Sequence, residues 1–202
     1  MLVGQIFVEN PPRPHTVIVS GNNMKTQPTH NITTERATDL LKEGRPLTGI
    51  YVDGELKIET SDTWGKEVVF ENCIVEYFSG SVTQFDKPVR LINSHFKKCQ
   101  FVFTYFLGGL TIDNCTFDNY LDFQAGGHNK TGNPIIITNN NFKDFVNFFD
   151  CWYENEVTIC NNKFHKGTNL LGKLHNIPVT FDIEPIIKDN IGQIDLNNEG
   201  KE

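Results

Sequence analysis

The sequence predicts an all-β fold, a parallel β-helix of about seven coils in which short strands of successive coils stack on one another. Three observations support this prediction. A unit of about 21 residues recurs along the chain, apolar residues alternate with period two inside each unit, and an asparagine closes the first strand of each central unit. Helical repeats of this length would show segments of about 10–15 residues with a period of 3.6, and the units contain none.

The repeat can be followed through five central copies and two degenerate outer ones. The aligned units begin at Leu47, Val68, Val89, Leu110, Ile135, Val157 and Val179. In the central copies the asparagines are Asn72, Asn93, Asn114, Asn139 and Asn161, and the large apolar residues after them are Val75, Phe96, Phe117, Phe142 and Phe164. Asparagine tolerates the left-handed backbone of a bend, so each strand is expected to turn a corner there. We further expect the five stacked amides to form a hydrogen-bonded ladder.

The ends of the chain are predicted to differ from the repeats. Residues 1–46 are assigned to an N-terminal cap, in which TVIVSG (16–21) forms a strand and a turn. Residues 34–43 form a short helix in this prediction, with Thr33 or Thr34 as N-cap and Gly44 beyond its end, and the helix covers the first coil. The β-helix is assigned to residues 47–186 and a polar tail to residues 187–202, all within one structural domain, and the last stretch of the tail, LNNEGKE (196–202), is expected to be frayed.

Three short strings give a resemblance to a known group. FENCIV (70–75), KKCQF (97–101) and DNCTF (113–117) resemble right-handed β-helix proteins, including their pentapeptide-repeat branch. That resemblance implies a right-handed coil with a large apolar residue inside it and a small residue two positions earlier. The large residues would be Val75, Phe96, Phe101 and Phe117, preceded by Cys73, Ser94, Cys99 and Cys115.

Composition and charge narrow the class of protein. The 202 residues contain 38% hydrophobic residues and carry a net charge of −7, which fits a folded domain and argues against direct nucleic-acid binding. No stretch reaches the roughly 20 apolar residues of a membrane-spanning helix, and the first residues do not resemble a secretory signal. The five cysteines include no CxxC pair, so we expect reduced, buried thiols, no metal site and a cytoplasmic location.

The candidate functional residues lie where the repeat is interrupted. The insertion FQAGGHNKTGNP (123–134) lengthens one coil, but its glycines do not match a phosphate-binding loop. Aromatic and histidine residues recur at the coil ends, and two interpretations stay open: the rings fold inward, or they form a recognition strip with neighbouring acidic residues. The candidate partner-binding residues are Phe85, Tyr105, Phe106, His128, Lys130, Trp152, Tyr153 and His175.

The sequence indicates no catalytic constellation and no cofactor. A glycosidase would need two carboxylates about 5–9.5 Å apart, and the positions expected to flank Asp122 are Phe101 and Asn147. The outward column Glu76, Lys97, Asp118, Lys143 and His165 alternates in sign, which predicts a self-compensating face.

We therefore expect a non-catalytic protein that binds a macromolecular partner, with another protein as the favoured partner, along one edge. A carbohydrate-binding or carbohydrate-active β-helix is the first alternative, and an acidic DNA-mimicking inhibitor is the second. Pairing with a second copy of the chain is left open.

Overall fold

The computed structural model describes residues 28, 30–58, 60 and 63–200 and shows a right-handed parallel β-helix of about six turns. The predicted fold class is therefore confirmed. The predicted strand at residues 16–21 lies outside the described residues, and the pentapeptide-repeat likeness stays a prediction.

Two long parallel sheets run along the axis of the β-helix. The seven-stranded sheet contains Leu47–Thr48, Val68–Glu71, Val89–Ile92, Leu110–Asp113, Ile135–Thr138, Val157–Cys160 and Ile186–Lys188. The nine-stranded sheet contains His30–Thr33, Ile50–Lys57, Ile74–Ser79, His95–Gln100, Thr116–Phe117, Leu121–Asp122, Asn141–Phe142, Val146–Asn147 and Lys163–Phe164. Two smaller pairs join Thr63–Trp64 to Gln84–Phe85 and Trp152–Tyr153 to Thr180–Phe181, and a 3-10 turn spans Leu174–Asn176.

In the outer coils, the pairing between strands differs from the pairing that the sequence alignment predicts. Leu47 pairs with Phe70 rather than with Val68, and Thr158 pairs with Ile186, so the last strand does not begin at Val179. The assigned boundary at residue 186 falls inside the strand Ile186–Lys188. Residues after this strand hydrogen-bond to the preceding coil, through contacts such as Leu196 N–H to Thr168 O at 3.2 Å. The 3-10 turn lengthens this coil and displaces its strand along the sequence.

The repeated asparagines occupy one corner of the coil, as predicted. Their φ values are 55° for Asn72, 49° for Asn93, 52° for Asn114, 59° for Asn139 and 58° for Asn161. The predicted amide ladder at these positions is wrong except for one step, in which Asn114 Nδ2 donates to Asn93 Oδ1 at 2.8 Å. Of the five asparagines, all within the described residues, Asn93 and Asn114 share this contact and the other three lack one of this kind.

A ladder does exist, one residue further along each coil. This buried polar ladder consists of Cys73, Ser94, Cys115, Asn140, Asn162 and Asn190. Each backbone N–H donates to the side chain of the next coil, for example Cys115 N–H to Asn140 Oδ1 at 2.8 Å. Asparagine side chains also donate in the opposite direction, as Asn140 Nδ2 does to Ile112 O at 2.9 Å. The ladder therefore satisfies backbone groups that the corner removes from the sheets.

Phenylalanine stacks fill the interior. Phe96, Phe117, Phe142 and Phe164 form one column with ring centroids 5.3, 5.1 and 5.0 Å apart, and the planes of successive rings differ by at most 19°. A second column contains Phe101, Phe123 and Phe148. All five cysteines are free and buried, and burial raises the pKa of the Cys115 and Cys151 thiols to about 12, which keeps both protonated at neutral pH.

The predicted helix covers the first coil. It spans Thr34–Lys42, and the Thr33 hydroxyl caps it by accepting from Arg36 N–H at 3.3 Å. Gly44 beyond its end has a φ of 72°, as expected for a helix terminator. Ala37 and Leu41 are fully buried against the coil, so the helix shields apolar surface at this end of the β-helix.

Replacing Phe117 by alanine should lower the free energy of unfolding by about 3–5 kcal/mol, because the ring stacks between two others in the core. Chemical denaturation measures this loss. Phe103→Ala is the matched control, since that ring is 55% exposed and its loss should cost less than about 0.5 kcal/mol. A cost below about 1 kcal/mol for Phe117→Ala would contradict the stacked core.

Replacing Asn140 by alanine should cost about 1–3 kcal/mol, because the buried Cys115 N–H loses its acceptor. Asn140→Ser should cost less, because a serine at the same ladder position, Ser94, both accepts from and donates to the backbone. Denaturation of the two variants in parallel tests this order. Equal losses for alanine and serine would show that the ladder hydrogen bonds contribute nothing.

Candidate binding surface at the second corner

A second corner of the coil also requires left-handed backbone but lacks the asparagines. Its left-handed residues are Val82, Phe103, Ala125 and Asp150, with φ values of 57°, 53°, 53° and 58°. A left-handed backbone costs roughly 1–2 kcal/mol for an ordinary L-residue, and bulky or β-branched side chains rarely adopt it. Val82 is nevertheless 68% exposed and Phe103 is 55% exposed, so no burial of these side chains offsets the strain.

Three rings stand next to these residues on successive coils. Tyr105 and His128 have ring centroids 4.3 Å apart, and His128 and Trp152 have centroids 5.4 Å apart. Parallel bridges from Tyr105 to Gly127 and from Gly127 to Trp152 hold their backbones in register. Trp152 is 44% exposed, and its indole Nε1 donates to Asp182 Oδ1 at 2.9 Å. We call the surface formed by Val82, Phe103, Tyr105, His128 and Trp152 the corner strip.

Three of the predicted partner-binding residues are not accessible. Phe85, Phe106 and Tyr153 follow the exposed positions by one residue, so the alternation of a strand turns their side chains into the core, where none is more than 2% exposed. Phe85 stacks on Phe106 at 6.0 Å, and Tyr153 stacks on Phe181 at 5.5 Å. Burial raises the pKa of the Tyr153 hydroxyl well above its usual range. Assigning these three side chains to a surface was wrong, and Tyr105, His128 and Trp152 remain in the candidate site.

The remaining predicted residues border the corner strip or lie apart from it. Lys130, on the insertion, forms an ion pair with Asp86 at 3.4 Å, and His128 Nδ1 lies 3.4 Å from Glu154 Oε2. The insertion is anchored by the buried Asn129 side chain, whose Nδ2 donates to Asn133 O at 3.2 Å and to Glu156 O at 3.3 Å. His175 is exposed on the 3-10 turn, and its ring lies 6.3 Å from Phe149 rather than within the strip.

Sequence reasoning missed Val82 and Phe103, although a signal was present. The strings VTQF (82–85) and FTYF (103–106) lie one coil apart and share a threonine and a phenylalanine in register. The threonines of both strings are buried, with Thr104 Oγ1 donating to Gly80 O at 2.8 Å. In both strings, the residue directly before the buried threonine adopts the left-handed backbone of this corner. A large apolar side chain at that position is therefore exposed to solvent.

The outer face of the nine-stranded sheet carries paired charges. Lys97 forms an ion pair with Glu76, and Lys143 Nζ lies 2.7 Å from Asp118 Oδ1. Asp118 Oδ2 also contacts His95 Nε2 at 2.7 Å. Partial burial would raise the pKa of Asp118, but hydrogen bonds from Lys143 and His95 outweigh burial and lower that pKa. Carboxylates interleaved with lysines do not resemble the row of negative charge that a DNA mimic presents.

Asp122 occupies a buried polar position rather than an exposed catalytic one. It pairs in register with Gln100 and Asn147, so the earlier expectation of Phe101 as one neighbour was wrong. Its Oδ1 accepts from Asn147 Nδ2 at 2.9 Å and from Gln124 N–H at 3.0 Å. Within the described residues, no group of three or more histidine, cysteine, aspartate or glutamate side chains could hold a metal ion, and no helix is long and apolar enough to cross a membrane.

Comparison with other proteins assigns no family. No protein-family model matches the chain, and neither a curated protein nor a solved structure gives a significant match. Folds of this kind can carry unrelated functions, so the function has to be argued from the surface itself. The corner strip is the part of that surface at which exposure, aromatic character and backbone strain coincide.

Val82→Asn should raise the free energy of unfolding by about 1 kcal/mol, because asparagine adopts the left-handed backbone more readily than valine does. Asn161→Val is the reciprocal control at the asparagine corner and should lower stability by a similar amount. Thermal and chemical denaturation of both variants provide the measurement. If the Val82→Asn protein is less stable, the valine side chain stabilises the fold, and the left-handed backbone at Val82 carries no net cost.

Proposed function

We propose that the protein is a non-catalytic binding protein that recognises another protein through the corner strip and the adjacent loop at 125–134. One observation carries this proposal: the strip holds large apolar side chains in solvent at positions where they strain the backbone. Selection for stability alone would place asparagine or glycine at these positions, as at the other corner. Exposed residues that reduce stability are characteristic of binding surfaces.

The arrangement of the rings favours a protein over a carbohydrate. A sugar stacks on the open face of an aromatic ring, but the His128 ring lies between Tyr105 and Trp152, tilted by 54° and 58° to its neighbours. The His128 ring therefore has a neighbouring ring on each side, and the strip adds the aliphatic side chain of Val82. Exposed aromatic and aliphatic side chains at a corner of the coil can fit a complementary apolar pocket of a protein partner.

Charged residues around the strip suit the rim of a protein interface. Asp86 is 46% exposed and Glu154 is 41% exposed, and each already has a positively charged or histidine neighbour, Lys130 or His128. Such exposed pairs contribute little to affinity but affect the association rate and its salt dependence. The apolar strip supplies the binding free energy in this proposal, and the rim selects the partner.

Capture from a lysate of the source cells with Phe103→Ser and Trp152→Ala tests the proposal. Each variant should weaken retention of the partner by roughly tenfold or more, because truncating a central aromatic residue of an interface typically costs about 2 kcal/mol. Lys143→Ala, on the charged outer face of the nine-stranded sheet, is the control and should bind as the unmodified protein does. A photo-crosslinking residue at position 103 should label the same partner, whereas one at position 143 should not.

Two results would contradict this assignment. If both strip variants keep every partner that Lys143→Ala keeps, the strip is not the interface. If glycans on an array bind the unmodified protein and Trp152→Ala abolishes that binding, the ligand is a carbohydrate instead.

A further inference from the structure

Two rows of residues run along the second corner, parallel to the axis of the β-helix. The first row is formed by the left-handed residues of successive coils, Val82, Phe103, Ala125 and Asp150. The second row is held in register by parallel bridges and contains Gln84, Tyr105, Gly127 and Trp152. The column between the two rows is buried and consists of Thr83, Thr104, Gly126 and Cys151. A shallow groove, which we call the corner groove, therefore lies between the rows.

Large and small side chains alternate along the corner groove. Phe103 and Tyr105 lie on one coil, and Trp152 lies two coils further on. The coil between them contributes Ala125, Gly126 and Gly127 to the groove, and none of these residues has a side chain larger than a methyl group. The aromatic side chains consequently border a hollow over this coil and recur on alternate coils, about 9.6 Å apart when each coil rises by about 4.8 Å.

This spacing distinguishes between the conformations that a bound segment could adopt. Three residues of a polyproline II helix advance by about 9.3 Å, which matches the distance of about 9.6 Å between alternate coils. Side chains on one face of a β-strand repeat about every 6.8 Å, which matches neither one coil nor two. An α-helix is about 10–12 Å wide, whereas the Cα atoms of Phe103 and Tyr105, two residues apart, are separated by at most about 7 Å. The groove therefore favours a polyproline II segment.

One carboxylate in the first row lacks a partner. The Asp150 side chain is exposed, and among the described residues it forms neither an ion pair nor a hydrogen bond, including with Lys173 on the following coil. The neighbouring carboxylates have partners, in the pairs Asp86–Lys130, Glu154–His128 and Asp182–Trp152. A positively charged residue of a bound segment could therefore pair with Asp150 without displacing an existing contact.

On the basis of the function proposed for the corner strip, we propose that the corner groove binds a proline-rich segment of the partner protein in the polyproline II conformation. One proline lies over Ala125 and Gly126, between the side chains of Phe103 and Trp152. The prolines three residues before and after it flank these two side chains on their other sides, and an arginine or lysine of the segment pairs with Asp150. Grooves lined by aromatic residues suit such segments, because the polyproline II conformation is already formed before binding and little entropy is lost.

Two synthetic peptides of equal composition and length test the spacing with the unmodified chain. Both contain only proline, alanine and one arginine beside the last proline. Proline occupies every third position in the first peptide and every fourth position in the second, and terminal alanines equalise their lengths. Isothermal titration calorimetry should show that the first peptide binds roughly tenfold more tightly than the second.

Variants of the chain locate the bound peptide. Phe103→Ser and Trp152→Ala should each weaken binding of the first peptide by roughly tenfold, because both side chains contact the central proline. Asp150→Asn should weaken it by about threefold, since an exposed ion pair contributes little. Asp189→Asn is the matched control and should leave binding unchanged, because Asp189 is also exposed and left-handed, with a φ of 57°, but lies at the asparagine corner.

A variant of the peptide tests the pairing with Asp150. Replacing the arginine of the first peptide by alanine should weaken binding to the unmodified chain by about threefold and should not change binding to Asp150→Asn, because the partner charge is already absent there. Circular dichroism confirms that each variant of the chain remains folded.

Three results would overturn the proposal. Equal affinity for the two peptides would show that the spacing of the prolines is not recognised, and absence of binding by both would show that the groove does not accept such a segment. Unchanged binding to Phe103→Ser and Trp152→Ala would place the peptide elsewhere. The proposed function stands apart from these outcomes if a photo-crosslinking residue at position 103 still labels a partner, since the corner strip would then bind a segment of another conformation.

Discussion

The buried polar ladder is the constraint on which the rest of the structure depends. A coil of a β-helix has to turn between sheets, and each turn removes backbone groups from the sheet hydrogen bonds. Here the residue after each left-handed corner supplies a side chain that accepts from the coil before it, as Asn140 Oδ1 does from Cys115 N–H. This contact sets the register of neighbouring coils, and the register in turn aligns Phe96, Phe117, Phe142 and Phe164 into one stacked column.

The ladder also explains which parts of the fold could be predicted from the sequence. Period two and the asparagine column give the strands and the corner, because both reflect local backbone preference. The sequence assigned the ladder to the column of Asn114 instead of to the next column, which contains Cys115. Both columns hold polar or small residues, and only the direction of the side chains, which the sequence does not show, distinguishes them. The outer coils were misaligned because neither Leu47 nor Val179 is followed by an asparagine at the spacing of the central copies.

The candidate surface was only half predictable for a similar reason. Tyr105, His128 and Trp152 were found because aromatic residues are conspicuous, but Phe85, Phe106 and Tyr153 are equally aromatic and lie one residue away inside the core. A difference of one residue on a strand reverses the direction of the side chain, so the register has to be known before the rings can be sorted. Val82 and Phe103 are exposed because their backbone is left-handed, and composition alone does not reveal that conformation.

The two corners show how one chain can separate stability from recognition. At the asparagine corner the residue type suits the left-handed backbone, and the next side chain extends the ladder. At the second corner Val82 and Phe103 oppose the backbone preference, while the buried Thr83 and Thr104 beside them hold the turn through hydrogen bonds to carbonyl groups. Because the threonines fix the turn, the residues before them can vary without loss of the fold. A surface whose geometry is held by its buried neighbours can then carry side chains chosen for contact with a partner.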